Sequence, residues 1–242
     1  LKYKTAEQIL TETKTQKEVY SMTLNKSTLS EQIYQILRSD ILSQRIPLGT
    51  RLTLKNLKEQ FGVSSTPIRE ALTRLTEEGL VNHYSNIGVT VISLTEKDLT
   101  ELYQFMGDLD RLAILYSAEH PAQEQICREL GGVLSVTNAI ESKDALLPED
   151  IPEWIEHSDR FHLIFYDYCR NQRLALAAEK LRSQLTIFSN VYETEPQPQR
   201  QINQMHSRIW DAYRRKAYAQ AGDLMKQHLE DSLIYAKQCL VN

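Results

Sequence analysis

A chain of 242 residues, 41% of them hydrophobic and 25% charged, is long enough to bury two cores and too apolar to stay disordered. Its net charge of −4 argues against a protein that coats nucleic acid without selectivity, and no apolar run approaches the roughly 18 residues of a membrane span. Cys127, Cys169 and Cys239 are too few and too widely spaced for a disulfide framework or a cysteine zinc site, so they read as reduced, packed thiols.

Charge is unevenly spread. Residues 1 to 26 hold five Lys against three Glu, residues 27 to 95 seven Lys or Arg against six acids, and the remainder sixteen against twenty-three. A weakly basic N-terminal part on an acidic body fits a small duplex-contacting module joined to a domain with another task. The N-terminus lacks the apolar centre of a signal peptide, and the expected location is the cytoplasm.

Residues 1 to 26 read as an N-terminal extension outside the fold argument, although Ile9, Leu10 and Val19 suit a short amphipathic helix. From Thr28 a helix is signalled by Ile33, Ile36, Leu37 and Ile41, ending before Pro47 and Gly49. Thr53 caps a second, short helix with Leu54, Leu57 and Phe61 on its inner face, closed by Gly62. Thr66 is expected to cap a third helix that starts at Pro67, whose missing N–H would be unpaired there anyway. Ile68, Ala71, Leu72 and Leu75 form the apolar face of this helix, Arg69, Thr73 and Arg74 point elsewhere, and Gly79 ends it. Alternating Leu80, Val81, His83 and then Val89, Val91, Ile92 flank a turn at residues 85 to 88, which predicts a β-hairpin. Three helices followed by a two-stranded wing make a winged helix-turn-helix over residues 27 to 94, with a third helix suited to a DNA major groove.

Residues 95 to 242 carry no strand pattern. Helical segments are expected at about 96–119, 122–142, 151–170, 173–192, 199–216 and 218–238, separated by Pro121, an acidic loop with Pro148, and the stretch of Pro196 and Pro198. The fold class is therefore mainly α, a winged helix-turn-helix over residues 27 to 94 followed by an antiparallel α-helical bundle over residues 95 to 242.

The run from PLGTRL through LKEQFGVSSTPIREALTRLTEEGLV to NIGVTV resembles the DNA-binding head of GntR-family bacterial transcriptional regulators, with loop, recognition helix and wing in order. The order of bundle helices, with FH in SDRFH as the strongest local match, is similar to the FCD effector domain of the FadR/FCD branch. The resemblance implies DNA contacts from Lys55, Ser64, Ser65, Thr66, Arg69 and Gly88. Ser65 stands where the family usually has a guanine-reading Arg, which shifts specificity toward Arg69, the wing and dimer spacing. Arg74 reads as a solvated or salt-bridged helix charge.

His162, His206 and His228 fall on three different bundle helices. His206 and His228 are equidistant from the helix turn near Ala217, so an antiparallel hairpin brings them side by side, and two facing imidazoles with a third from a neighbour suit a metal ion. The resemblance agrees, since the three match the family's metal-binding histidines, and it implies a divalent metal of the Zn2+ or Ni2+ kind. The family's fourth ligand, an Asp one turn earlier, is replaced by Ser158, which leaves Asp159 as the nearest carboxylate. Relatives carry an anion-pairing Arg on the first bundle helix. Met106 occupies that place here, with Arg111 nearby but off register. His83, His120 and His157 read as ordinary surface or core histidines.

The expected function is a ligand-responsive transcriptional regulator, a repressor that binds a palindromic double-stranded DNA operator as a homodimer, with a small-molecule effector and a metal in the bundle, no membrane partner and no catalysis. The alternatives are a metal-dependent hydrolase with a winged-helix docking module, and a regulator whose histidines are hydrogen-bonded in the core or touch an organic ligand directly. No nucleophile elbow, phosphate loop or His-Glu-x-x-His helix supports the hydrolase.

Overall fold

The computed structural model describes residues 28–84, 88–143, 147 and 150–240; the expected N-terminal extension and the wing turn at residues 85 to 87 lie outside them. The head begins with α1 (Leu29–Leu42), whose cap Thr28 accepts a hydrogen bond from the Glu31 backbone N–H at 3.1 Å. Its Ile33, Leu37 and Ile41, one turn apart, are buried. A two-residue strand, β1 (Arg51–Leu52), precedes α2 (Leu54–Phe61), capped by Thr53 and closed by Gly62 at φ 66°.

The recognition helix α3 (Ser65–Glu78) starts two residues earlier than the proline predicts. Ser64, not Thr66, is its N-cap, without a side-chain capping bond, so Pro67 lies inside the first turn, where an unbonded nitrogen is still tolerated. Ile68, Ala71, Leu72 and Leu75 are buried, and Gly79 ends the helix at φ 80°. Strands β2 (Val81–Tyr84) and β3 (Gly88–Val91) pair antiparallel with Val81 opposite Val91 and His83 opposite Val89. Sequence reading did not find β1, which pairs with β3 and makes a three-stranded sheet in the order β1-β3-β2. Two residues carry no alternation to read.

Six helices follow: α4 (Glu96–Ser117), α5 (Gln123–Glu141), α6 (Asp150–Tyr168), α7 (Gln172–Tyr192), α8 (Pro196–Arg214) and α9 (Tyr218–Gln238). A capping box of Thr95 and Asp98 opens α4. Pro196, expected to punctuate a loop, is instead the first residue of α8, a position where proline's fixed φ helps rather than hinders. α4 lies along α9, α8 pairs with α9, and α7 packs both on α4 and on the head helices α1 and α3. Trp154, Phe161, Phe165, Phe188 and Tyr213 fill the bundle interior. Among the described residues, no helix is long and apolar enough to cross a membrane.

Candidate functional sites in the head and the bundle

On the head, Lys55, Ser64, Thr66, Arg69 and Gly88 are exposed, and Ser65 is half-buried. Arg69 and Thr73 of α3, Arg51 of β1, His83 of β2 and Gly88 of β3 line a cleft of ≈390 Å³ between recognition helix and wing. Gly88 holds φ 101°, a conformation that L side chains rarely adopt, so the wing turns there without strain. Arg74 is occupied elsewhere. Its guanidinium pairs with Glu31 and lies 3.9 Å over the Tyr34 ring, as expected of a salt-bridged helix charge.

In the bundle, His162 on α6, His206 on α8 and His228 on α9 converge in the interior. Nε2 of His206 lies 3.2 Å from Nε2 of His162 and 3.2 Å from Nε2 of His228. One ring nitrogen of each lies within 4.8 Å of the others, and these three histidines form the group, among the described residues, with metal-ligand spacing. The Phe161 ring stacks on His206 at 4.2 Å between centroids and holds its plane. Burial pushes the His206 and His228 pKa values well below the ordinary value, and the neighbouring imidazoles push the same way. Burial lowers His162 as well, so all three shifts favour the neutral imidazole that ligation requires.

The fourth member of the cluster is Asp110 on α4. Its Oδ2 lies 2.8 Å from His162 Nδ1, and because a carboxylate only accepts, that nitrogen carries the proton and leaves the His162 Nε2 lone pair facing the other rings. Tyr166 donates to Asp110 Oδ1 at 2.5 Å, and one guanidinium nitrogen of Arg182 spans both oxygens at 3.0 and 2.7 Å. Burial alone would raise the Asp110 carboxyl, but Arg182 and the bonds from His162 and Tyr166 hold it below the usual carboxylate range. The result is a buried carboxylate–histidine pair of the kind that orients metal ligands.

The other sequence-predicted residues lie apart from the triad. Asp159 is outside the ligand group: its Oδ1 accepts from Arg182 at 3.0 Å, because a step of three rather than four turns it toward α7. Arg111 faces the surface and pairs with Asp223 of α9 at 2.8 Å, so it contributes no cation to the interior. Met106 is fully buried one turn before Asp110. Among the described residues the buried guanidinium is that of Arg182, and neither it nor Asp110 stands out in the sequence as a site residue. One signal was available: both charges occupy core-facing positions, Asp110 in the series Tyr103, Met106, Asp110, Ala113 and Arg182 in the series Ala178, Arg182, Leu185, Ser189. Ser158, at the place of the missing family Asp, is buried and hydrogen-bonds to Glu193. Burial and the Asp159 charge push the Glu193 carboxyl up to about 8.

Comparison with known proteins agrees with this two-part fold. Residues 29–91 match the family model of bacterial regulatory proteins, gntR family, and residues 101–231 match the FCD domain. The chain is 25% identical over 209 residues to the HTH-type transcriptional regulator YdhC of Bacillus subtilis, covering 86% of this chain and 91% of that one. It is 24% identical over 203 residues to the HTH-type transcriptional repressor RspR of Escherichia coli, covering 84% and 86%. The solved structure of E. coli McbR/YncC superposes with a TM-score of 0.69 at 22% identity over 89% of this chain and all of that one, which supports the fold. YdhC and RspR are regulators by name and lend the hydrolase alternative no support. The chain is a DNA-binding transcriptional regulator of the gntR family whose C-terminal part is an FCD domain.

Proposed function

We propose that the protein is a metal-dependent, effector-responsive repressor that reads a near-palindromic operator as a homodimer in the cytoplasm. The observation that carries the metal reading is the convergence of three buried imidazole nitrogens. Two Zn–N bonds of about 2.1 Å at the tetrahedral angle put their nitrogens about 3.4 Å apart, and His206 Nε2 lies 3.2 Å from each neighbour, close to that spacing. His162, His206 and His228 would hold the ion, Asp110 would fix the His162 tautomer, and Phe161 would hold the His206 plane. A divalent ion bound by three imidazoles offers open positions to an oxygen-bearing effector.

In the head, Arg69 is the base-reading candidate, while Lys55, Ser64, Ser65, Thr66 and Gly88 position the backbone of the duplex. Two copies related by a twofold axis would place two such helices on successive major-groove faces and supply the affinity that one weakly basic head lacks. The repressor reading is supported by the printed role of the E. coli relative.

A second reading rests on the same contacts: His206 Nε2–H shared between the lone pairs of His162 and His228, with no ion. Metal analysis of full-length protein purified without chelator, beside His206→Ala, separates the two. The metal reading expects about one ion per chain in the parent and loss in the variant; equal content in both removes His206 from the site.

A further inference from the structure

Helix α7 has two working faces. Ala178, Arg182, Leu185, Ser189 and Tyr192 turn into the bundle. Lys180, Ser183, Gln184, Ile187 and Asn190 are centred about 180° away at 100° per residue, and they meet the head. Ser183 Oγ donates to Glu78 Oε1 at 2.8 Å, and Gln184 Nε2 donates to the Gly79 carbonyl at 3.0 Å. Asn190 Nδ2 reaches the Leu42 carbonyl at 3.3 Å, and the Ile187 carbonyl accepts from Gln44 at 3.4 Å. The Lys180 side chain occupies the space that a Cβ on Gly79 would enter, with Cε at 2.6 Å. Glu78 is the last residue of α3 and also accepts from Arg38 Nε at 2.7 Å and Tyr34 OH at 2.8 Å.

On the inner face, Arg182 grips Asp110, and Asp110 orients His162. Arg182 and Ser183 are consecutive residues of one rigid helix. A turn or slide of the helix moves both, and the chain of contacts from histidine ring to recognition helix runs His162, Asp110, Arg182–Ser183, Glu78.

We propose that α7 is the lever that carries the state of the histidine site to the recognition helix, with Arg182 as its inner positioning residue and the Ser183–Glu78 and Gln184–Gly79 bonds as its outer grip. That the site responds to a bound metal or effector rests on the function proposed above; the mechanical coupling does not. A group that draws Asp110 toward the triad changes how Arg182 is shared between Asp110 and Asp159, and α7 turns or slides in response. The Ser183–Glu78 bond lies at an open cleft lined also by Arg38, Arg74 and Glu77, where water can replace it, so this part of the grip has a second arrangement available to it.

Amide hydrogen exchange on the full chain tests this without any ligand. Asp110→Asn should change exchange at residues 76 to 80 by about fivefold or more, the low end of coupling between linked sites. Tyr166→Phe, which removes one bond to Asp110 and keeps its ion pair, is the milder variant and should act in the same direction. Neither should act once Ser183→Ala and Gln184→Ala have removed the grip. Ser117→Ala, which breaks a bundle hydrogen bond to Tyr213 away from this path, should leave residues 76 to 80 alone. Unchanged exchange in both Asp110→Asn and Tyr166→Phe, an effect that survives loss of the grip, or an equal effect from Ser117→Ala overturns the lever. In a second arm Zn2+ is added and bound zinc is measured in the same samples. Zinc bound with residues 76 to 80 unmoved also overturns the lever, whereas absence of bound zinc counts against the metal reading alone and leaves the first arm to decide.

Discussion

One guanidinium nitrogen of Arg182 bridges both carboxylate oxygens of Asp110 in the bundle interior, at 3.0 and 2.7 Å, with both side chains almost wholly buried. A buried pair of this kind adds little net stability over an apolar pair, but removing one partner strands a charge out of water. Arg182→Met is therefore expected to destabilise the protein by about 3 kcal/mol or more. Asp110→Asn combined with Arg182→Met should cost less than the sum of the single changes, by about 0.5 to 3 kcal/mol. Urea unfolding of the four proteins measures this, and strict additivity would show that the pair is not a unit.

Metal ligation predicts linkage to stability. An ion that binds only the folded protein, at a free concentration a hundredfold above its Kd, adds about 2.7 kcal/mol. The melting temperature of the zinc-loaded protein should fall when chelator is added, and the fall should vanish in His228→Ala. Chelator insensitivity in protein shown to contain zinc would place the ion elsewhere.

The head makes a separate prediction. If Arg69 reads a base, Arg69→Ala should relax discrimination at one operator position by about 1 to 3 kcal/mol, whereas Lys55→Ala should weaken binding to all sequences alike and lower the salt slope by about 1. Anisotropy titrations against the operator and single-base variants at several salt concentrations distinguish the two roles. Uniform weakening by Arg69→Ala would reassign it to the phosphate backbone.

Glu193 should tilt the pH profile of stability. Its carboxyl is raised from 4.5 to about 8 by burial and by Asp159, so the folded state holds a proton that the unfolded state has released. The contribution is fully present below 4.5 and is lost as pH rises through about 8. In chelator, Glu193→Gln should gain in melting temperature relative to the parent as pH climbs across that window, because it has no proton to lose. Parallel curves for the two proteins would falsify the assignment.

How much of this was legible beforehand depended on the range of the interaction. Helix limits followed local rules: Thr28 and Thr53 cap, Gly62 and Gly79 terminate, and the apolar positions of α1 and α3 recur at helical spacing. The exceptions were local signals with two meanings, since proline both breaks a helix and begins one, and the sequence alone could not say which of these Pro196 does. Arg111 and Asp159 carry charge near the right register, and a shift of one residue turns each to another face.

By itself, then, the sequence determined the winged helix-turn-helix, the six-helix body and the pairing of His206 with His228, because each depends on periodicity, capping or equal distance from a turn. Tertiary structure alone decided that Asp110 orients His162, 52 residues away, that Arg182 closes on Asp110 across 72, and that Ser183 holds Glu78 across 105. Such contacts leave no period in the chain. They arise where a charge on a core-facing position must find its partner among whatever helices close over it, and that choice is made only when the bundle packs.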